Sequence, residues 1–120
     1  MTNTANTSQE NPPGDANVSF VVYIPLKPEA RERGRELLLR VIDAMSAEPD
    51  FVRTWVHEDM SEPDVIVNYE TWACTREHFL QHHLQKDYRQ AYERALPELL
   101  AGERRIVFLR EIAAYPGKRD

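Results

Sequence analysis

The spacing of hydrophobic residues along the chain predicts first a β-strand and then an amphipathic helix. Residues 18–26 (VSFVVYIPL) are rich in β-branched and aromatic residues, which favours a strand that ends near Pro25 or lies at a sheet edge. Pro28 suits the first position of a helix, and residues 29–47 carry apolar side chains at helical spacing. The predicted buried face of this helix contains Gly34, Leu38, Val41, Ile42 and Met45.

The next segments predict a β-hairpin and, after an intervening helical region, a last strand. Residues 51–57 (FVRTWVH) and about 65–72 flank the polar turn EDMSEPD, so the two strands should pair antiparallel. Residues 104–112 (RRIVFLREI) predict the fourth strand.

The helical region between the third and fourth strands is predicted to begin at Thr75, whose hydroxyl is a favourable N-cap. It should reach about residue 101, with a kink or restart at Pro97 and an end at Gly102. The inner face predicted for it contains Tyr88, Ala91, Tyr92, Ala95 and Leu99.

The order β-α-β-β-α-β is that of the ferredoxin-like α+β fold, in which four antiparallel strands carry both helices on one face. The opposite face of such a sheet is bare. If that face is apolar it must be covered, and a second copy of the chain is the simplest cover. The sequence therefore predicts a homodimer, with the fourth strand or its flanks reaching the partner.

Composition narrows the class of protein without identifying its activity. A chain of 120 residues, 42% hydrophobic and 29% charged, fits one globular domain. The sequence predicts an N-terminal tail over residues 1–17, a domain over 18–113 and a short tail over 114–120. The net charge of −5 and the interleaving of basic with acidic residues argue against nucleic acid as a partner. No apolar run predicts a membrane span, and the single cysteine, Cys74, fits the cytoplasm.

A polar row inside the third strand is the main sign of chemistry. In IVNYETW, residues 66–72, the side chains of Asn68, Glu70 and Trp72 fall on one face because successive strand residues point to opposite faces. Burying an amide without a partner costs about 1–3 kcal/mol. The row is therefore expected to face a pocket between sheet and helices.

The segment NYETW followed by HLQKDYRQAY, at residues 83–92, resembles the antibiotic biosynthesis monooxygenase family of dimeric α+β barrel proteins. The resemblance spans about residues 18–113. Many members have a Gly-Cys pair entering strand two, where this chain has Asp50 and Phe51. The pairing of Asn68 with Trp72 is similar to that of the anthrone-oxidising branch.

The resemblance implies a cofactor-independent monooxygenase that uses O₂ to oxidise an aromatic polyketide, anthrone or hydroquinone to a quinone. Such a substrate, once deprotonated, itself supplies the electron that O₂ requires. Asn68 and Trp72 would donate hydrogen bonds to the developing oxyanion, and His83 would accept or relay the phenolic proton. The substrate-binding residues implied on the facing helix are Tyr88, Arg89 and Tyr92. No cofactor or metal is expected.

Each of these residues also has a structural interpretation. Trp72 is large and could belong to the core, Asn68 could bond to the backbone, and Tyr88 and Tyr92 have the spacing of a buried helix face. Glu70 is interpreted as structural, pairing with an arginine or capping a helix. The remaining histidine and the cysteine, His57 and Cys74, are also expected to be structural.

The histidines His78, His82 and His83 lie at a spacing that could hold a metal ion on one helix face. A metal is nevertheless disfavoured, because no His-Glu-x-x-His frame is present and a further ligand would have to come from elsewhere in the fold.

Three other functions remain open at this point. Haem degradation occurs in relatives of the same fold, but their iron-ligating histidine aligns with Tyr92. A dimeric module that binds a small ligand without turning it over is compatible with the same pattern. A cyclase or isomerase would use His83 as a base without consuming oxygen.

Overall fold

The computed structural model describes residues 17–118, and the predicted tail over residues 1–17 lies outside them except for Asn17. The chain forms four strands, β1 (Val18–Pro25), β2 (Phe51–Glu58), β3 (Val65–Trp72) and β4 (Arg105–Leu109). Three α-helices connect them: α1 (Arg31–Met45), α2 (Arg76–Gln81) and α3 (Gln90–Leu99). Single 3₁₀ turns occupy Pro28–Ala30, His83–Gln85 and Asp87–Arg89.

The four strands form one antiparallel sheet in the order β2-β3-β1-β4. The predicted hairpin between β2 and β3 is therefore confirmed. An irregularity in register between Phe51 and Arg53 marks a β-bulge at the start of β2. The fold is ferredoxin-like, as the order of elements predicts.

Burial alternates along the two central strands, so that one face of the sheet lies against the helices. In β1 the residues facing inward are Val18, Phe20, Val22 and Ile24, and all four are buried. In β3 they are Ile66, Asn68, Glu70 and Trp72, the strand's polar row among them. Burial of apolar side chains between these layers supplies the main favourable term in folding.

Helix α1 confirms the predicted face, because Gly34, Leu38, Val41 and Met45 are buried in it. Gly34 is needed for close packing: a Cβ placed there would lie 2.7 Å from the Cδ2 atom of the buried Leu26. Small residues of this kind let a helix approach its neighbour closely.

The helical region after β3 is more interrupted than its pattern indicates. The Thr75 hydroxyl caps α2, accepting from the backbone N–H of His78 at 3.1 Å, as predicted. The break lies at residues 82–89 and not at Pro97, which sits inside α3. The predicted inner face is wrong at Ala91, which is exposed, and it lacks Leu96, which is buried.

The outer face of the sheet and the chain after β4 expose large hydrophobic side chains. Trp55, which pairs with Tyr69 across the sheet, is 53% exposed. Strand β4 ends at Leu109, three residues earlier than predicted, and Ile112 beyond it is 95% exposed. No helix within residues 17–118 is both long and apolar enough to cross a membrane.

Candidate active site

Glu70 lies at the centre of the polar row and accepts hydrogen bonds from both of its neighbours in that row. The Asn68 amide Nδ2 donates to Oε2 at 3.1 Å, and the Trp72 indole Nε1 donates to Oε1 at 3.0 Å. Alternation along β3 produces this arrangement, since residues two apart lie side by side on one face. The prediction that Glu70 pairs with an arginine across the sheet or caps the helix is therefore wrong, because the hydrogen bonds that it accepts within residues 17–118 come from its own strand.

The Glu70 side chain is almost completely removed from water, with 5% of its surface exposed. Burial raises the pKa of Glu70 because it disfavours the charged form. The hydrogen bond from Trp72, the positive charge of Arg89 and the hydrogen bond from Asn68 act in the opposite direction but do not offset burial. Glu70 is therefore a carboxylate with a raised affinity for a proton.

Asn68 combines a satisfied donor with an unsatisfied acceptor. Its Nδ2 donates to Glu70, while its carbonyl Oδ1 is buried and has no hydrogen-bond partner within residues 17–118. A carboxylate accepts but does not donate, so the amide must present nitrogen to Glu70 and leave the oxygen free. Buried acceptors without a partner are uncommon in folded proteins, and such an atom can accept a hydrogen bond from a ligand.

A cavity of about 320 Å³ lies between the sheet and the helices, and Asn68 and Glu70 line it. Small-molecule pockets usually fall at about 300–1,000 Å³ and are mostly apolar, with a few polar groups. This cavity has that character. Its apolar lining includes Phe20, Val22, Leu38, Val41, Met45 and Phe79, and its other polar residues include Arg89, Tyr92 and Arg104.

Two of the three predicted substrate-binding residues line this cavity. Arg89 is buried, with its Nε donating to the His83 carbonyl at 2.9 Å and its Nη2 lying 3.1 Å from the Met45 sulfur. Burial raises the pKa of Tyr92 to about 12, so its hydroxyl stays protonated and can donate. Tyr88 lies elsewhere: its hydroxyl donates to Glu48 at 3.1 Å, outside the cavity lining.

Trp72 and His83 form the wall behind Glu70 and do not line the cavity. Trp72 is fully buried, and its ring centroid lies 4.4 Å from that of His83 and 5.4 Å from that of Phe79. His83 is 2% exposed, and its Nε2 lies 2.9 Å from the Asp50 carboxylate. The structure thus brings Asn68, Trp72, Arg89 and Tyr92 around Glu70 and places His83 one layer further back.

A second group of polar side chains surrounds that Asp50 carboxylate. The ligand atoms of His78, His82 and His83 lie within 4.8 Å of one another, and so do those of Asp50, Cys74 and His83. Burial, with the charge of Asp50, raises the pKa of Cys74 to about 11, so its thiol is protonated at neutral pH. Asp50 thus places a carboxylate from the start of β2 beside His78 and His83.

A larger groove of about 610 Å³ lies at the opposite edge of the sheet, between the start of β1, α2 and the end of β4. None of the predicted site residues lines it, and its polar lining is exposed or half-exposed. The smaller cavity is the candidate active site because it alone of the two contains buried polar groups with altered proton affinity.

The protein belongs to the ferredoxin-like class of α+β domains. It has four antiparallel strands, helices on one face of the sheet and a cavity between the two layers. The sequence model of the antibiotic biosynthesis monooxygenase family matches residues 18–95, and the chain belongs to that family. The predicted resemblance is confirmed. A search of curated proteins found no match.

Solved structures support the same fold. A candidate antibiotic biosynthesis monooxygenase from Nitrosomonas europaea superposes with a TM-score of 0.74 at 18% identity, covering 82% of this chain and 92% of its own. One from Caulobacter crescentus has a TM-score of 0.73 at 20% identity, covering 83% and 93%. A conserved protein from Methanosarcina mazei Go1 has a TM-score of 0.73 at 21% identity, covering 82% and 95%.

Proposed function

We propose that this protein is a cofactor-independent monooxygenase that oxidises an anthrone, hydroquinone or related aromatic polyketide with O₂. The family supports oxygen chemistry in general, and the observation that supports this particular chemistry is the buried carboxylate of Glu70 at the cavity wall. A raised pKa brings a carboxylate closer to the phenols and enols that it would deprotonate. An apolar cavity around it suits a flat aromatic ring.

The proposed reaction of an anthrone begins when Glu70 removes a proton and leaves an enolate. The enolate transfers one electron to O₂, and the resulting radical and superoxide combine to form a carbon–oxygen bond. Protonation gives a hydroperoxide, which loses water to leave a carbonyl. The balance is one CH₂ group and one O₂ converted to one C=O group and one H₂O. The proton held by Glu70 passes to the peroxide to form the hydroperoxide, and the remaining hydrogen of the CH₂ carbon leaves with the distal OH of the O–O bond as water.

Asn68 and Arg89 hold the substrate in this proposal. The free Oδ1 of Asn68 accepts a hydrogen bond from a substrate hydroxyl, which satisfies the buried oxygen. Arg89 lines the same cavity, and in this proposal its positive charge stabilises the negative charge that forms on the enolate oxygen. Tyr92 supplies a protonated hydroxyl to a second substrate oxygen.

Trp72 and His83 act through other residues and not on the substrate. The single N–H of the Trp72 indole donates to Glu70, so Trp72 positions the base. His83 packs behind that indole and does not line the cavity, so Glu70 takes the proton-accepting role in this mechanism. The oxyanion role predicted for Asn68 remains compatible with its second amide N–H.

An oxygen electrode provides the test. Purified, chelator-treated protein is screened against anthrones, hydroquinones and polyketide phenols, with Glu70→Gln as the variant lacking the base and Glu98→Gln, on an exposed part of α3, as the matched control. We expect O₂ uptake above autoxidation for the parent and the control but not for Glu70→Gln. Equal uptake by all three proteins would contradict the proposal.

Two alternatives predict different results in the same assay. An isomerase or cyclase would also use Glu70 as a base, but substrate would be consumed without O₂ uptake. A binding module would show saturable binding and no turnover. Haem binding has less support, because no histidine within residues 17–118 lines the cavity. Tyr92 also aligns with the iron-ligating histidine of the haem-degrading relatives.

We further propose that the protein works as a homodimer whose sheets face each other. Trp55 and Leu109 are 53% and 43% exposed, and apolar patches of this kind usually mark an interface. Ile112, beyond β4, would extend onto the partner. Sedimentation should show a dimer for the parent and a monomer for Trp55→Glu, whereas a monomeric parent at micromolar concentration would contradict the assignment.

A further inference from the structure

A cluster of metal-ligating side chains lies outside the cavity, at the junction of β2 and α2, and the proposed oxidation does not use it. The Asp50 Oδ2 atom lies 2.9 Å from Nε2 of His83 and 3.5 Å from Nε2 of His78. His82 stacks on His78 with ring centroids 4.8 Å apart. Three imidazoles and a carboxylate thus converge on one small volume.

Two distances within this cluster are close to the edge length of a tetrahedral coordination shell. Zinc bonds to nitrogen and oxygen are about 2.0–2.2 Å long, which places tetrahedral ligand atoms about 3.3 Å apart. The two distances measured from Asp50 bracket that value. The ligand atoms of His78, His82 and His83 also lie within 4.8 Å of one another.

Two of the ligands are held in place before any ion binds, Asp50 by a backbone hydrogen bond and His83 by packing. The Asp50 carbonyl accepts a hydrogen bond from Ala73 N–H at 2.7 Å, which ties the entry of β2 to the end of β3. His83 is packed against Trp72 with only 2% of its surface exposed. Ligands that are fixed before binding lower the entropic cost of coordination.

The charges in the cluster also favour a cation. Within residues 17–118, the ion-pair partners of Asp50 are His78 and His83, and no lysine or arginine pairs with it. With neutral imidazoles the cluster carries one negative charge and several nitrogen lone pairs. This is the ligand set that Zn²⁺ and similar divalent ions prefer.

We propose that Asp50, His78 and His83 bind a zinc-class divalent ion, with His82 as the fourth ligand. The side chain of His78 is 48% exposed and marks the side from which the ion enters. The ion links the entry of β2 to α2 directly behind Trp72, so it stabilises the wall that positions Glu70. Its role is structural, and the oxidation of substrate proceeds without it.

Metal titration of the chelator-treated, tag-free protein tests this site independently of enzymatic activity. We expect calorimetry to show one Zn²⁺ per chain, a higher melting temperature with Zn²⁺, and the visible absorption of tetrahedral Co²⁺ on cobalt titration. Asp50→Asn and His78→Ala should each weaken binding at least tenfold, because each removes one direct ligand. His78 is exposed enough that its variant should fold.

His57→Ala is the matched control, because His57 is an exposed histidine of β2 whose ring bonds, within residues 17–118, to the Val67 carbonyl. It should bind Zn²⁺ as the parent does. The proposal is overturned if the parent binds no stoichiometric ion, or if Asp50→Asn and His78→Ala both retain parental affinity. The metal-binding results do not depend on O₂ uptake by the parent or by Glu70→Gln. The metal site and the proposed function can therefore be disproved independently of each other.

Discussion

Two carboxylates lie on opposite sides of one aromatic wall, and their pKa values are shifted in opposite directions. Glu70, on the cavity side of Trp72, is buried, and burial raises its pKa. Asp50, on the His83 side, has a lowered pKa because the hydrogen bond from His83 stabilises its charge more than partial burial disfavours it. The same functional group is therefore prepared to accept a proton at one site and to remain an anion at the other.

The difference arises from what each carboxylate has for neighbours. Glu70 has neutral donors from its own strand and one buried cation, Arg89, near enough to act on its pKa. Asp50 is partly solvated and faces imidazoles that can carry charge or bind an ion. Burial with neutral partners favours proton transfer, whereas exposure beside nitrogen ligands favours holding a cation.

The largest expected effect is that of Glu70→Gln on turnover. Removing a general base usually lowers the rate by about 10²- to 10⁴-fold, and we expect a loss in that range in O₂ uptake. Stability should change in the other direction. The glutamine oxygen still accepts from Trp72, and its amide can donate to the unpaired Oδ1 of Asn68, while the desolvation of a charge disappears.

Urea unfolding of Glu70→Gln, measured beside Glu98→Gln, checks that second half of the prediction. A variant that is inactive and at least as stable as the parent identifies a residue kept for chemistry at a cost in stability. A variant that loses both activity and several kcal/mol of unfolding free energy would indicate that the charge of Glu70 is structural.

Trp72→Phe should have the next largest effect, because it removes the donor to Glu70 and keeps an aromatic ring against His83. Leaving one lone pair of a buried carboxylate without its donor costs about 1–3 kcal/mol of unfolding free energy. We expect turnover to fall by roughly tenfold, since the base loses its orientation but not its identity. Zinc affinity should stay at the parental level.

The Glu70 and Asp50 sites are not independent if Trp72→Phe weakens Zn²⁺ binding as much as His78→Ala does. That result would mean that the two carboxylates share one network through the wall. Calorimetry on the folded variant decides this, with circular dichroism as the control for folding.

Most of the fold can be predicted from the sequence because each element has a strong period. Strand β3 matches its predicted bounds, and the buried face of α1 contains four of its five predicted residues. The region after β3 is harder to predict, because short 3₁₀ turns at His83–Gln85 and Asp87–Arg89 have no period of their own. The exposure of Ala91 follows from that break in helical phase.

The site is only partly predictable from the sequence, because its main hydrogen bonds depend on side-chain orientations that the pattern of residues does not specify. Alternation in β3 predicts that Asn68, Glu70 and Trp72 share a face, yet it does not say that both donors turn towards Glu70. A signal is nevertheless present, since an acid between two donors on one strand face suggests a local network. Asp50 cannot be predicted as a neighbour of His83, because 33 residues separate them.

A smaller effect is expected for Asn68→Ala, and it should depend on Glu70. Alone, this variant leaves Oε2 of Glu70 without its donor and the substrate without an acceptor, so turnover should fall several-fold. In the Glu70→Gln background most of that effect should vanish, because the two residues act as a unit. Additive losses in the logarithm of the rate would show that Asn68 contacts the substrate independently of the base.

The smallest effect concerns the pH dependence of stability, and it compares the parent with Glu70→Gln. Because the folded pKa of Glu70 lies above its ordinary value of 4.5, the folded state binds its proton more tightly than the unfolded state does. Stability due to this group is thus fully present below about pH 4.5 and falls as pH rises through the folded pKa. The free energies of unfolding of the two proteins should therefore diverge in favour of the variant as the pH rises through this range.

Urea unfolding of both proteins at a series of pH values measures this divergence. A tenfold difference in proton affinity between the folded and unfolded states corresponds to about 1.4 kcal/mol, which such curves resolve. Arg89, whose positive charge acts on the pKa of Glu70, is present in both proteins, so the comparison isolates the carboxyl group of residue 70. Parallel profiles would show that Glu70 titrates normally, and the contrast with Asp50 would then rest on hydrogen bonding alone.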